Sequence, residues 1–244
     1  MASSDIFKTR AVVVRKTRYR ESDLIVTLIT ESSGKIDVTA RGGRKSQRRF
    51  EGGFSPYIIY SATINRSKKT GYFQVSELQA VEYNNLILRD PVRLGLSALA
   101  TEIIREFTPW ENNEGSSFHI LRNFFREISS RDDTASCMIR LIFEILLKEG
   151  YSPVMDRCTR CNVELPDGSS NFSISAGGIT CDRCSSQNEM NSWNFELWRK
   201  IMRNEIIDND TRLSSGMLRN MVSLAASHAG KQFKAMRYVS ATFF

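Results

Sequence analysis

The 244-residue sequence predicts an α+β protein of two parts: a small five-stranded barrel over residues 1–80, then an α-helical domain over 81–244 with a four-cysteine module inserted at about 152–191. Three observations carry this reading. Short β-branched and alternating segments crowd the first 80 residues, helical periodicity replaces them after Asn84, and two Cys-x2-Cys pairs interrupt the helical part.

The strands come first. Residues 11–14 (Ala-Val-Val-Val) are compact and β-branched, residues 23–30 form a longer apolar run, and residues 34–40 alternate apolar with polar, the period of a half-buried strand. Glu31-Ser32-Ser33-Gly34 reads as a tight hairpin connection, with Gly where unusual dihedrals are needed. Residues 56–64 and 72–75 supply two more strands. Five short strands with glycine-rich turns in about 75 residues point to a closed or nearly closed barrel.

The helices follow. Asp90-Pro91 combines a cap with Pro at the first helical position, and Leu94, Leu96, Leu99, Ile103, Ile104 and Phe107 recur at helical spacing until Pro109. Ser116 or Ser117 opens a second helix with Phe118, Leu121, Phe124, Phe125 and Ile128 on one face. Thr134 opens a third, running through Met138, Ile142 and Leu146 to Gly150, with Cys137 as a core residue. A fourth spans 195–206 and a fifth about 215–227, with Gly230 just beyond. Asp132-Asp133 and Asp208-Asn209-Asp210 flank helices and read as caps.

Composition narrows the function. At 41% hydrophobic and 25% charged, the chain fits an ordinary globular protein, which excludes wholesale disorder. No apolar run approaches the ~20 residues of a membrane-spanning helix. The first ten residues, with Ser3, Ser4 and Asp5, lack the apolar stretch of a secretion signal, so a cytoplasmic location is expected. The net charge of +7 is concentrated: residues 1–80 hold 15 Lys and Arg against seven Asp and Glu, a net of +8, and the remainder carries −1. One module facing a polyanion explains such asymmetry better than a uniformly basic surface.

The strongest motif is Cys158-x2-Cys161, then nineteen residues, then Cys181-x2-Cys184. That spacing matches a two-knuckle zinc site, in which four thiolates close the coordination shell and leave no position for water. One structural Zn2+ is expected, fixing a segment with few apolar residues (Ile174, Ile179) around a Pro166-Asp167-Gly168 turn. Disulfides fit a cytoplasmic location poorly, and a single redox CxxC leaves the second pair unexplained.

The second feature is the basic loop Arg41-Gly42-Gly43-Arg44-Lys45-Ser46-Gln47-Arg48-Arg49, which contains no acid. Arg15, Lys16, Arg18 and Arg20 cluster after the first strand, and Arg66, Lys68 and Lys69 sit in the last hairpin. Three basic loops on one small barrel can form a groove along a sugar-phosphate backbone, as in OB-fold single-strand binders. With Lys35, these cations make up the candidate nucleic-acid-contacting set. Tyr19, Phe50, Phe54, Tyr57, Tyr60 and Tyr72 interleave with them and can stack on bases, although for any single ring barrel core is the stronger reading. No P-loop, G-x-S-x-G or H-E-x-x-H motif is present, and His119 and His228 read as structural, so no enzyme activity is expected.

In order and spacing these pieces resemble the bacterial RecO family of recombination mediators over nearly the whole chain. The resemblance rests on Tyr19-Arg20-Glu21-Ser22-Asp23, Gly34-Lys35, Ala40-Arg41-Gly42, Pro56 and Glu77. In the helical half it rests on Phe143-Glu144-Ile145-Leu146-Leu147, Gly150-Tyr151-x-Pro153, Phe172-x4-Gly177-Gly178 and His228-x-Gly230-Lys231 with Phe233-Lys234. Lys234-Ala235 departs from the family's usual closing Lys-Ser. The resemblance implies an OB domain, a helical domain and a zinc module that some members lack. It also implies a nucleoid-associated protein that binds single- and double-stranded DNA and anneals strands coated with single-stranded-DNA-binding protein (SSB). RecR is implied as partner in loading RecA, and the helical domain as receptor for the SSB C-terminal tail. Arg140, one turn before Phe143-Glu144, is the candidate tail contact, with an i,i+4 ion pair to Glu144 as the competing explanation. Charge and strands alone leave a zinc-stabilised RNA-binding or translation-associated OB protein as the alternative.

Overall fold

The computed structural model describes residues 4–112, 114–165, 169–185, 193–205 and 211–243. Strands β1 (Ser4–Tyr19), β2 (Asp23–Thr30), β3 (Gly34–Ala40), β4 (Ile58–Ser67) and β5 (Phe73–Tyr83) close into a barrel in the order β1-β2-β3-β5-β4. Only the β3–β5 contact is parallel, with Val38 opposite Phe73. This is the connectivity of an OB fold. Val26, Leu28, Ile36, Val38, Ala62 and Ile64 fill its interior, all fully buried.

The first strand departs most from the sequence expectation, running 16 residues rather than four. Its first half pairs with β4, from Ser4 opposite Ser67 to Val12 opposite Ile59, and its second half with β2, out to Tyr19 opposite Asp23. Barrel closure supplies partners on both sides, so polar residues such as Lys8 and Arg10 continue as strand without an alternating pattern to announce them. A 3-10 turn (Glu51–Phe54) then places Phe50 and Phe54, ring centroids 4.9 Å apart, in the core; Gly52 and Gly53 take left-handed φ values of +70° and +63° there.

The helices are α1 (Asn85–Arg89), α2 (Pro91–Phe107), α3 (Ser116–Ser130), α4 (Thr134–Lys148), α5 (Phe195–Met202), α6 (Thr211–Ala229) and α7 (Met236–Phe243). The periodicity did not predict α1 and α7. The Asp133 carboxylate accepts the Ser136 N–H and caps α4, and the Asn194 side chain does the same for Leu197 at α5. The predicted Pro166-Asp167-Gly168 turn, Ile206 at the end of the fourth predicted helix, and the Asp208-Asn209-Asp210 cap lie outside the described residues.

Two compact units interleave along the chain: Met1–Asp90 with Ile104–Ser129, and Pro91–Ile103 with Ser130–Phe244. Within the first unit, α3 binds the barrel wall. Tyr57 meets Phe125 edge-on at 5.6 Å, and Glu82 on β5 accepts hydrogen bonds from Arg122 and Arg126. Within the second, α4 packs against α5 and α6, and residues 135–142 are buried without a break. Strands β6 (Ser169–Ser173), β7 (Gly178–Thr180) and β8 (Trp193–Asn194) form a small sheet in the order β7-β6-β8. Phe172, Trp193, Trp198 and Phe143 link that sheet to α5 and α4 through successive ring contacts of 5.0, 5.2 and 4.8 Å. Among the described residues, no helix is long and apolar enough to cross a membrane.

Candidate nucleic-acid interface and metal centre

A β-bulge aims two cations at the barrel mouth. Ala11 and Val13 face the interior; between Val13 and Arg15 the β1–β2 register shifts by one residue. Past the shift, Lys16 lies opposite Val26 and Arg18 opposite Leu24, both interior residues of β2. Directly opposite residues share a face, so Lys16 and Arg18 continue the inner surface of β1 beyond the core. They lie on the strand itself rather than in a loop after it, which corrects the sequence expectation for this cluster. Arg20 sits at the hairpin tip in the left-handed region, φ 54°, with its guanidinium over the Tyr19 ring at 5.1 Å.

The 41–49 loop folds over the same end. The Asp23 carboxylate accepts the Gly42 N–H at 2.8 Å, and Ser22 O accepts the Arg44 N–H at 3.0 Å. The left-handed φ of Gly42 makes this turn possible. Arg44 donates to Glu21 O at 2.6 Å, Lys16 to Gly53 O at 3.2 Å, and Arg49 to Arg41 O at 2.9 Å while lying over Phe50. All these acceptors are neutral carbonyls. Among the described residues, no carboxylate forms an ion pair with the cations of 15–20 or 41–49. Between hairpin and loop lies a cleft of about 420 Å3. Its lining combines the cations Lys16, Arg18 and Arg44, the apolar Leu24 and Phe50, and the polar Ser46 and Gln47.

The third predicted cluster does not join this groove. Arg66 pairs with Asp5 in the β1–β4 register, thirteen residues before Arg18, or roughly 43 Å along the strand at ~3.3 Å per residue. Arg66 forms an ion pair with Glu111 at 3.1 Å and Lys68 with Asp5 at 3.0 Å. Lys35 is also not an exposed DNA contact. It is 7% exposed, donates to Arg105 O at 2.7 Å, and lies 4.6 Å from the Trp110 ring centre, where it joins β3 to the end of α2. Of the six interleaved aromatics, Phe50, Phe54, Tyr57 and Tyr60 are buried; Tyr19 and Tyr72 are exposed.

Arg140 is likewise a buried structural residue. Its guanidinium donates to Ile201 O at 3.1 Å and to Asn204 Oδ1 at 2.7 Å, binding the end of α5. A surface docking role is withdrawn on that ground. Cys137 is buried as expected. Asp132 pairs with Arg93, His119 lies 3.6 Å from Glu31, and the His228 ring meets Tyr151 in a tilted contact at 4.7 Å.

The four predicted cysteines converge. The sulfurs of Cys158, Cys161, Cys181 and Cys184 all lie within 4.8 Å of one another. Knuckle turns place them: Cys158 O accepts from the Asn162 N–H, with Asn162 at φ 63°, and Cys181 O accepts from the Cys184 and Ser185 N–H groups. Thr159 N donates to Ile179 O at 2.9 Å, tying the first knuckle to β7. A Cβ on Gly178 would come within 2.3 Å of Val154 O, so only glycine permits that approach.

The donor set fits a metal. A tetrahedron with ~2.3 Å zinc–sulfur bonds has sulfur–sulfur edges of about 3.8 Å, and Cys161 and Cys181 are 3.7 Å apart. Burial pushes the Cys158 thiol up, but the Cys161, Cys181 and Arg160 backbone groups outweigh it and hold the thiol down at about 6. Cys184 is pushed up to about 12, first by hydrogen bonds with Cys181 and Cys161, then by burial and the charge at Cys158. Four thiolates cannot share this volume without a cation, and a divalent ion removes the conflict.

Comparison with known proteins agrees with this architecture. The family models described as Recombination protein O N terminal and Recombination protein O C terminal match residues 1–84 and 88–194. The chain is 31% identical over 180 residues to the DNA repair protein RecO of Syntrophus aciditrophicus, covering 72% of this chain and 69% of that protein. It is 29% identical over 182 residues to that of Bacillus pumilus (75% and 70% covered), and 27% identical over 180 residues to that of Anaeromyxobacter dehalogenans strain 2CP-C (74% and 71% covered).

Proposed function

The chain belongs to the recombination protein O family, whose role is in DNA repair and recombination, and from that premise we propose that it is a non-enzymatic mediator that binds single- and double-stranded DNA at the mouth of its barrel. It anneals complementary strands coated with SSB and, with RecR as partner, helps load RecA. The observation that supports this reading most is the convergence of Lys16, Arg18 and Arg44 on one cleft with no ion pair to a carboxylate among the described residues. Arg20, Arg41, Lys45, Arg48 and Arg49 extend the cationic surface around it, while Arg15, beside Lys16 on β1, lies on the opposite face of the strand.

Annealing requires no bond chemistry. Two strands approach each other against phosphate repulsion, and clustered guanidinium and ammonium groups lower that repulsion while most base edges stay free to pair. Contacts to the backbone carry no sequence information, so binding is tolerant of sequence. One Zn2+ held by Cys158, Cys161, Cys181 and Cys184 supplies folding energy to the module and no chemistry. With Arg140 buried, the SSB tail docks elsewhere on the protein.

A fluorescence annealing assay on complementary oligonucleotides precoated with SSB tests the proposal. Wild type accelerates annealing, and Arg18→Ala/Lys45→Ala/Arg48→Ala loses most of the acceleration. Equal rates with and without wild-type protein would refute the function. Parallel DNA and RNA strands separate it from an RNA-binding role, which predicts tighter RNA binding and no annealing.

A further inference from the structure

We infer that the cleft over the barrel mouth receives one unstacked nucleobase of a bound single strand, so that this site grips single-stranded DNA by a base as well as by phosphates. The inference rests on the reading that this end of the barrel binds DNA.

A cationic groove is enough to neutralise phosphates, and this recess also brings apolar and amide-bearing side chains into its lining. At about 420 Å3 the recess falls within the range of sites that enclose small ligands, ~300–1,000 Å3. A single flat base fits such a volume, whereas a base held in a duplex stack cannot enter it. The lining is divided in the way a nucleotide is divided. Leu24 and Phe50, both largely buried, contribute the apolar part of the lining, while the exposed Lys16, Arg18 and Arg44 contribute cations for the sugar-phosphate.

The polar lining residues explain how one slot serves any base. Gln47 carries a donor and an acceptor on one rotatable amide, and Ser46 adds a hydroxyl, so each base finds some edge contact. Gly43 and Gly53 line the recess without side chains, leaving room for close approach. The loop side of the recess is also fixed in place. The Asp23–Gly42 and Arg44–Glu21 hydrogen bonds hold the loop against the hairpin, and the bulge after Val13 sets the direction of Lys16 and Arg18. A preformed slot of this kind favours single strands, because a duplex must first extrude a paired base.

The test uses the full-length protein and an oligo-dT strand carrying one 2-aminopurine, whose emission rises when the base leaves the stack. Emission should rise on saturation, and the single strand should bind at least about tenfold more tightly than a duplex of equal length, reflecting the cost of base extrusion. Gly53→Asn adds a side chain at the edge of the slot, at a left-handed position that Asn tolerates, with no atom within 4 Å of the new Cβ. Gln47→Leu removes the edge contacts at similar size. Both variants should lose the emission gain and most of the single-strand preference while keeping the wild-type salt dependence. Saturable, salt-sensitive binding with flat wild-type emission, or an equal gain in wild type and both variants, would overturn the slot and leave the phosphate surface standing. Absence of any single-strand binding would overturn both.

Discussion

Replacing Arg18, Lys45 and Arg48 together by Ala should change the salt dependence of DNA binding more than it changes the fold. All three are exposed on the hairpin or loop and their side chains form no hydrogen bond or ion pair within the protein among the described residues, so each substitution should alter stability by less than about 0.5 kcal/mol. Arg44, Lys16 and Arg49 are poorer choices because they hold the loop through carbonyls. If Lys16, Arg18, Arg44, Lys45 and Arg48 each neutralise one phosphate of a single strand, log affinity falls against log salt with a slope of about −3.5, at ~0.7 per phosphate. Raising salt from about 50 to about 200 mM then costs wild type roughly 130-fold in affinity. The triple variant keeps two contacts, a slope near −1.4, and loses only about sevenfold over that range. Fluorescence anisotropy titrations with oligo-dT at four salt concentrations measure both slopes. Lys35→Ala is the control, because its amine binds Arg105 O and Trp110 and the variant should be less stable with an unchanged slope. Equal slopes in wild type and triple variant would refute the assignment of these cations to DNA.

Other perturbations test the remaining parts. Arg140→Ala should destabilise the helical unit by about 2–3 kcal/mol in urea unfolding, because Ile201 O and Asn204 lose a charged donor, while an SSB-tail peptide binds the folded variant as it binds wild type. Mass spectrometry under native conditions should find one zinc per chain; chelation or Cys158→Ser should shift Trp193 and Trp198 emission, which report on the module, and leave the DNA salt slope intact. Burial pushes the Glu82 carboxyl up, but Arg122 and Arg126 outweigh it and hold it below its ordinary value. Glu82 therefore contributes stability above the unfolded carboxylate range, near pH ~4.3, and that contribution disappears as pH falls through the lower folded value. Glu82→Gln should narrow the difference between wild-type unfolding midpoints measured at about pH 7 and about pH 3.5.

Local chemistry made some of this architecture readable and hid the rest. Residues 34–40 alternate because β3 has one face in the core, and the 116–128 apolar spacing marks the buried face of α3; both signals lie within one element. The cysteine pairs are equally local, since each Cys-x2-Cys closes its own knuckle. What failed was information carried by register. The full length of β1 depends on closure against β4, and the bulge that swings Lys16 and Arg18 inward has no signature in Val12-Val13-Val14-Arg15. The same register puts Arg66 and Lys68 at the far end of the barrel. Lys35 and Arg140 were misplaced because their acceptors lie 70 and 61 residues away. For Arg140 a signal was present: Met138, Ile139, Leu141 and Ile142 surround it, and a helix turn apolar on all sides is buried.

The most direct test of the central claim is site mapping by photocrosslinking. A single strand with photoreactive thymine analogues, bound at low salt and irradiated, should label peptides within residues 15–24 and 41–53, with labelling suppressed by excess unmodified strand. Specific labelling confined to residues 66–72, or to the helical unit, would contradict it.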